Sequence, residues 1–304
     1  MAPRLPHDPS AQALRAQHRA EDLALALPPL LVAAERVAAS VAQGAHGRRR
    51  VGTGETFWQF RRYQPGDALT RVDWRQSAKT AHIFVRENEW EAAQTVWLWR
   101  DDSPSMHWRS TKALPTKRER ADLLALALSV LLVRGGERVS LAGSDVPASA
   151  ARSITPRLAL WLTGQSAYHQ GSGLPPDEPL PRHARAVLIG DLLAPLDPVR
   201  AAVSRLAGRG VRGHLVQVLD PAEETLPFDG RVEFRGLEGE GRLLVPNVQA
   251  VREAYREKLA AQRDGLAAIA RAAGWTLTLH RTDKPPQTAL LSLWSSLSAA
   301  TGLD

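Results

Sequence analysis

The 304-residue chain contains no cysteine. Disulfides, thiolate metal ligands and cysteine nucleophiles are therefore excluded, and any metal must be held by oxygen or imidazole. Long apolar runs are also missing. The longest, Leu23 to Ala34 and Leu123 to Val133, are too short to cross a bilayer. The opening residues, Met1 to Pro9, lack the apolar core of a signal peptide. These absences predict a soluble, cytoplasmic chain without a membrane span. No Gly-x-x-x-x-Gly-Lys-Ser/Thr phosphate cradle occurs, which argues against ATP hydrolysis. Histidines such as His107, His214 and His280 show no paired metal spacing and receive no catalytic role.

What is present is a basic chain with a formal charge of +7 and nine tryptophans. The basic residues between Arg48 and Glu89 alternate with acids, so they read as a solvated face rather than a nucleic-acid groove, and no nucleic-acid partner is expected. Residues 1–27 read as a loose polar tail. Residues 28–93 read as a helix from Pro28 to Gln43 followed by a small β-rich or irregular subdomain with short strands at Phe57 to Tyr63 and His82 to Arg86.

From residue 94 to the end, strands and helices alternate, the pattern of a doubly wound, mostly parallel α/β sheet. Expected strands are Thr95 to Trp99, Arg138 to Ala142, Ala186 to Ile189, Gly213 to Leu219 and Thr276 to His280. Expected helices are Arg120 to Val133, one near Pro156 to Leu162, Pro198 to Gly208, Asn247 to Ala273 and Thr288 to Ser298. The long one places Val248, Val251, Tyr255, Leu259, Leu266 and Ile269 on one face and is closed by Gly274. Between Leu226 and Val245 the pair Asp229 and Gly230 signals a hairpin. Trp97 and Trp99 share one strand face, which points to core packing.

The strand ending at Trp99 runs into Asp101, Ser103 and Ser105, spaced Asp-x-Ser-x-Ser. All three are hard oxygen donors, and a turn at the carboxyl end of a strand aims alternate side chains at one point. Ala186 to Gly190 delivers Asp191 at the end of a second strand. Two hydroxyls with one or two carboxylates suit Mg²⁺ or Mn²⁺ and leave charge for an incoming carboxylate. The bland reading is a Ser- and Pro-containing loop that caps a helix. An enzyme reading is a metal-dependent phosphatase with Asp101 as nucleophile, but the second acid such chemistry needs is replaced by Ser103. A nucleic-acid module rests on net charge alone.

Asp101, Ser103 and Ser105 resemble the metal-ion-dependent adhesion site of von Willebrand factor A domains, and Asp191 resembles the aspartate these domains supply from a later strand. Residues 61–67, 71–79, 84–91, 220–228 and 280–285 resemble the signature of domain-of-unknown-function family 58. The resemblance implies a von Willebrand factor A-like fold and a non-enzymatic, metal-dependent protein-binding module partnered with a MoxR-type AAA+ ATPase. It also implies a loop hydroxyl ligand, for which Ser172 is the best stand-in and Thr163 another. Arg62, Tyr63, Gly66, Asp67, Asp73 and Trp74 form the densest motif. It reads as a partner surface or, preferably, as an internal scaffold in which Asp67 and Asp73 pair with Arg62, Arg71 or Arg75 while Trp74 fills the core.

Overall fold

The computed structural model describes residues 30–42, 57–63, 72–80, 82–88, 94–164, 173–182 and 184–299. The expected N-terminal tail, the basic connector after Gln43, Gly66, Asp67, Arg71 and Ser172 lie outside the described residues. Helix α1 runs through residues 30–42. A two-stranded antiparallel ribbon, β1 (Phe57–Arg62) and β2 (Phe84–Asn88), holds the short helix α2 (Trp74–Ser77) between its strands in sequence.

The sheet that organises the chain has five strands, all parallel to their neighbours, in the order β4 (Arg138–Leu141), β3 (Thr95–Arg100), β5 (Arg185–Gly190), β6 (Arg212–Leu219), β9 (Thr276–Arg281). The inner strands β5 and β6 are buried on both faces, as expected within a parallel sheet, while the edge strand β9 is partly exposed. Val96 and Leu98 of β3, Val187 and Ile189 of β5, and Val216 and Val218 of β6 face one core with α3 (Lys117–Arg134), α4 (Ile154–Gly164) and α8 (Pro286–Ala299). Ala34, Val37, Ala38 and Val41 of α1 join that same core. The alternate residues Trp99, Ala186, Leu188 and Leu215 face the other core with α5 (Leu196–Ala207) and α7 (Val248–Ala272). Trp97 packs against this second core, so the paired tryptophans are structural. Gly213 is fixed by close approach, since a Cβ there would stand 2.5 Å from the Trp275 ring.

From Leu123 to Val133 helix α3 is apolar on nearly every side, Ser129 excepted, because the sheet lies under it and other helices flank it. It begins at Lys117, three residues before the expected Arg120. The capping box of Thr116 and Glu119 sets that start, ahead of the first apolar residue. The expected hairpin exists, but its strands are β7 (Val232–Arg235) and β8 (Arg242–Val245), linked by residues 236–241. Asp229 and Gly230 precede it, and Gly239 and Gly241, at φ +96° and +86°, make the turn. Val251 is exposed, so the buried stripe of α7 passes from Val248 to Leu259, Leu266 and Ile269. A short helix α6 (Pro221–Thr225) follows β6. No helix among the described residues is long and apolar enough to cross a membrane.

Trp74 corrects the sequence reading most plainly, being 62% exposed rather than in the core. Its neighbour Asp73 caps α2, accepting the Gln76 N–H at 2.9 Å. Tyr63 ties the ribbon by donating its backbone N–H to the Ile83 carbonyl at 2.8 Å. His214 and His280 are buried, and burial first, then Arg185 and Arg120 respectively, push each imidazole down to about 4. Both are therefore neutral structural groups near neutrality.

Candidate metal centre

Strand β3 is the first of the five-stranded sheet in sequence, yet it sits between β4 and β5. The chain turns outward on opposite sides of that junction, which makes a crevice at the carboxyl ends of β3 and β5. Asp101 and Asp191 stand at those two ends. The Asp101 N–H continues the ladder to the Ile189 carbonyl at 2.8 Å, and Asp101 itself is 1% exposed.

After Asp101 the chain tightens into a short 3-10 turn, Pro104–His107, anchored by the fully buried Met106. Asp101 Oδ1 accepts the Ser103 N–H at 2.8 Å. Ser103 stands at the N-cap of the turn but makes no side-chain cap bond. Its hydroxyl lies 3.1 Å from that of Ser105, which donates to Asp191 Oδ2 at 2.6 Å. The bland helix-capping role thus does not use these hydroxyls. Asp101, Ser103, Ser105 and Asp191 form one connected run of oxygen donors. Asp101 Oδ2 is buried with no hydrogen-bond partner among the described residues. Burial, then the charge of Asp191, raises the Asp101 carboxyl from 3.8 to about 6.

The alternate side chains of the same segment point elsewhere. Arg100 and Asp102 pair with each other, Arg100 Nε meets Asp122 Oδ1 at 2.8 Å, and Arg118 Nε meets Asp102 Oδ1 at 3.1 Å. Two arginines and two aspartates make this buried cluster neutral by itself, and it fixes the turn from behind.

Sequence reasoning gave no individual role to Lys117, Asp220, Glu223 or Glu238. Lys117, 1% exposed on its side chain, donates to Asp191 Oδ2 at 2.8 Å and to Glu223 Oε1 at 2.5 Å. Glu223 also accepts the Asp220 N–H, while Asp220 caps α6 and takes the Ser110 N–H at 2.9 Å. Asp220 and Glu223 thereby tie α6 to Ser110 and Lys117, a role that the resemblance of residues 220–228 to a signature did not reveal. Glu238, from the β7–β8 turn, accepts the Ser105 N–H at 3.3 Å. Thr163 spends its hydroxyl on the Ala159 and Leu160 carbonyls of its own helix. Where Ser172 was expected to reach, a Cβ on the next residue, Gly173, would lie 3.9 Å from Asp101 Oδ2.

The donor chemistry fits a hard divalent cation. Lys117 pairs with Asp191 and Glu223, while Asp101 lies close enough to Asp191 for the two like charges to oppose each other. No three His, Cys, Asp or Glu side chains among the described residues converge to hold a metal by themselves. The donors here are two carboxylates and two hydroxyls, a set that suits Mg²⁺ with retained waters. Gly190 makes room for it: a Cβ there would stand 2.8 Å from Asp101 Cβ and 3.0 Å from Oδ2. Gly190→Ala is therefore expected to displace Asp101, lowering stability by about 1–3 kcal/mol and shrinking any Mg²⁺-induced rise in melting temperature. A variant with wild-type stability and an intact Mg²⁺ response would show that Asp101 has space to spare.

Among families of known proteins, the one described as Protein of unknown function DUF58 matches residues 59–265. Curated relatives include the uncharacterized proteins Mb1516 of Mycobacterium bovis and Rv1480 of Mycobacterium tuberculosis. Each is 29% identical over 302 residues, covering 93% of this chain and 92% of the relative. Solved structures with similarity include the conserved hypothetical protein BatB of Bacteroides thetaiotaomicron, 16% identical, with a TM-score of 0.43. Another is an aerotolerance-related membrane protein of Bacteroides fragilis, 17% identical, with a TM-score of 0.44. Both alignments cover 68% of this chain and 100% of the other.

Proposed function

We propose that this chain, which belongs to the DUF58 family, is a non-enzymatic protein-binding module of von Willebrand factor A-like fold whose docking face is a Mg²⁺ or Mn²⁺ site at Asp101, Ser103, Ser105 and Asp191. The observation that carries the reading is the buried, unpartnered Asp101 Oδ2 beside two hydroxyls and a second carboxylate. When bound, a hard cation supplies an electrophilic position that a carboxylate can take in place of water.

The chain's own residues favour that exchange. Asp191 Oδ2 is already shared between Ser105 and Lys117, so it offers a metal less of its charge than a free carboxylate does. Asp101 is left as the principal anionic ligand, and the cation keeps charge for an acidic side chain of a partner. The neighbouring hairpin carries Leu237, Leu243 and Leu244, 49%, 64% and 48% exposed, which supply apolar area near that contact. The family resemblance makes a MoxR-type AAA+ ATPase the candidate partner. No hydrolytic role is assigned, because Ser103 stands where a second acid is needed and its N–H is committed to Asp101.

Co-purification of the native protein with and without EDTA tests partner and metal together. EDTA and Asp101→Ala are each expected to weaken the captured complex by about tenfold or more. Combined, they are expected to do no more than either alone, since both remove one site. Equal capture in Mg²⁺ and EDTA rejects metal-bridged docking.

A further inference from the structure

The β7–β8 hairpin brings a third carboxylate to the mouth of the site from 133 residues away in sequence. Glu238 Oε1 accepts the backbone N–H of Ser105 at 3.3 Å, and the hydroxyl of that same residue lies 3.1 Å from the hydroxyl of Ser103. Glu238 is exposed, and its side chain is free to turn toward water. Instead its charge lies near enough to Asp101 to add to the field that disfavours a charge there. A single long hydrogen bond is slender compensation for that repulsion. A cation held by Asp101 and the hydroxyls of Ser103 and Ser105 removes the conflict.

The hairpin is built to hold Glu238 there and also to release it. Gly236 N–H closes the turn on the Gly241 carbonyl at 2.8 Å, and Glu240 Oε2 accepts the Glu238 N–H at 2.9 Å. Neither β7 nor β8 supplies a residue to the two core clusters, so moving the tip unpacks neither core. The buried Asp101 Oδ2, without a hydrogen-bond partner among the described residues, is a separate observation at the same site.

We infer that Glu238 is the chain's own ligand for the cation at Asp101, Ser103 and Ser105, held at the position a partner's carboxylate takes, and that docking displaces it. The inference rests on the metal-bridged reading above. It assigns the hairpin to gating: the partner must compete with a tethered acid before it reaches the metal.

Mn²⁺ is the probe, used with the full chain. Calorimetry reads its affinity, and water-proton relaxation reads the number of waters on the bound ion. Glu238→Ala and Glu238→Gln are expected to melt no lower than the wild type in EDTA, because the side chain is exposed and its charge opposes that of Asp101. Both are expected to bind Mn²⁺ about 10- to 100-fold more weakly and to raise the relaxivity of the bound ion by one exchangeable water. Unchanged affinity overturns the inference. So does lowered affinity with unchanged relaxivity, which places Glu238 outside the coordination sphere. A wild-type chain that binds no Mn²⁺ overturns the metal reading itself, and the inference with it; binding that ignores position 238 overturns the inference alone.

Discussion

In EDTA near neutral pH, Asp101→Asn is expected to unfold at a higher temperature than the wild type, and in saturating Mg²⁺ the order is expected to reverse. The reason is a buried charge without enough compensation. Asp101 is 1% exposed, has one unpartnered oxygen and faces Asp191, and its carboxyl is raised from 3.8 to about 6. Asparagine keeps an oxygen for the Ser103 N–H and removes the charge. The displacement of the carboxyl corresponds to roughly 3 kcal/mol of strain at neutrality, as an order of magnitude. Relieving part of it raises the melting temperature by roughly 3–10 °C in a domain of this size. On the proposed metal reading, Mg²⁺ is expected to stabilise the wild type by mass action, while the variant lacks the anionic ligand.

The pH dependence has a definite sign. Because the folded Asp101 holds its proton more tightly than the unfolded chain does, its destabilisation is full above about pH 6 and fades as pH falls through that value toward 3.8. The advantage of Asp101→Asn in EDTA is therefore expected to shrink on acidification. Comparing the two proteins at each pH is essential, since His214 and His280 act oppositely. Their depressed values give stability that is present above about 6.5 and lost as pH falls toward 4. That contribution is common to both proteins and cancels in the difference. A wild type more stable than the variant in EDTA at every pH would remove the charge-strain argument.

The parts of the molecule legible in sequence are those where a single period or spacing dominates. Alternation in β3 put Trp97 and Trp99 on one strand face, and both pack against one core while Val96 and Leu98 enter the other. The apolar strand before Asp191 marked β5, and the junction of β3 with β5 brought Asp191 to Ser105. Side chains that act across distant elements were not legible. Lys117 looks like a surface residue opening a helix, where the dipole disfavours a cation; its burial depends on Asp191 and Glu223, 74 and 106 residues later. The Thr116 and Glu119 capping box was the local clue that the helix began there. Glu238 needed the hairpin's true turn, and Asp229 with Gly230 pointed to the wrong one because turn propensity names a bend without naming its strands. Trp74 was misplaced because hydrophobicity alone does not locate a residue, and a four-residue helix offers no period to add.

Lys117→Met is expected to have the largest effect on stability of any single change at the site, about 3–5 kcal/mol in EDTA, because it leaves two buried carboxylates without their shared cation. Burial opposes the charge on Lys117, but Asp191 and Glu223 more than offset it, and the ammonium holds its proton above the ordinary lysine range. Burial conversely raises the Glu223 carboxyl even with Lys117 beside it, so the pair has little charge compensation to spare. The loss also loosens α6, since Glu223 joins Lys117 to the cap of Asp220, and Asp220 holds Ser110. A purely structural lysine and one that tunes the metal site differ in what Mg²⁺ then does. Removing a positive charge next to Asp191 frees that carboxylate for the ion and takes away a repulsion, so Mg²⁺ is expected to bind the variant more tightly and restore part of its stability. In the structural case the deficit is the same in Mg²⁺ and in EDTA. Adding Asp191→Asn to Lys117→Met separates the two further. The double variant is expected to be less destabilised than the sum of the single changes, because the second removes the charge that the first left unpaired. Lys117→Arg, which keeps a cation in place, is the control for a variant that fails to fold. Strict additivity, with a Mg²⁺ response equal to the wild type, would mean that Lys117 supports the helix without reaching the chemistry of Asp191.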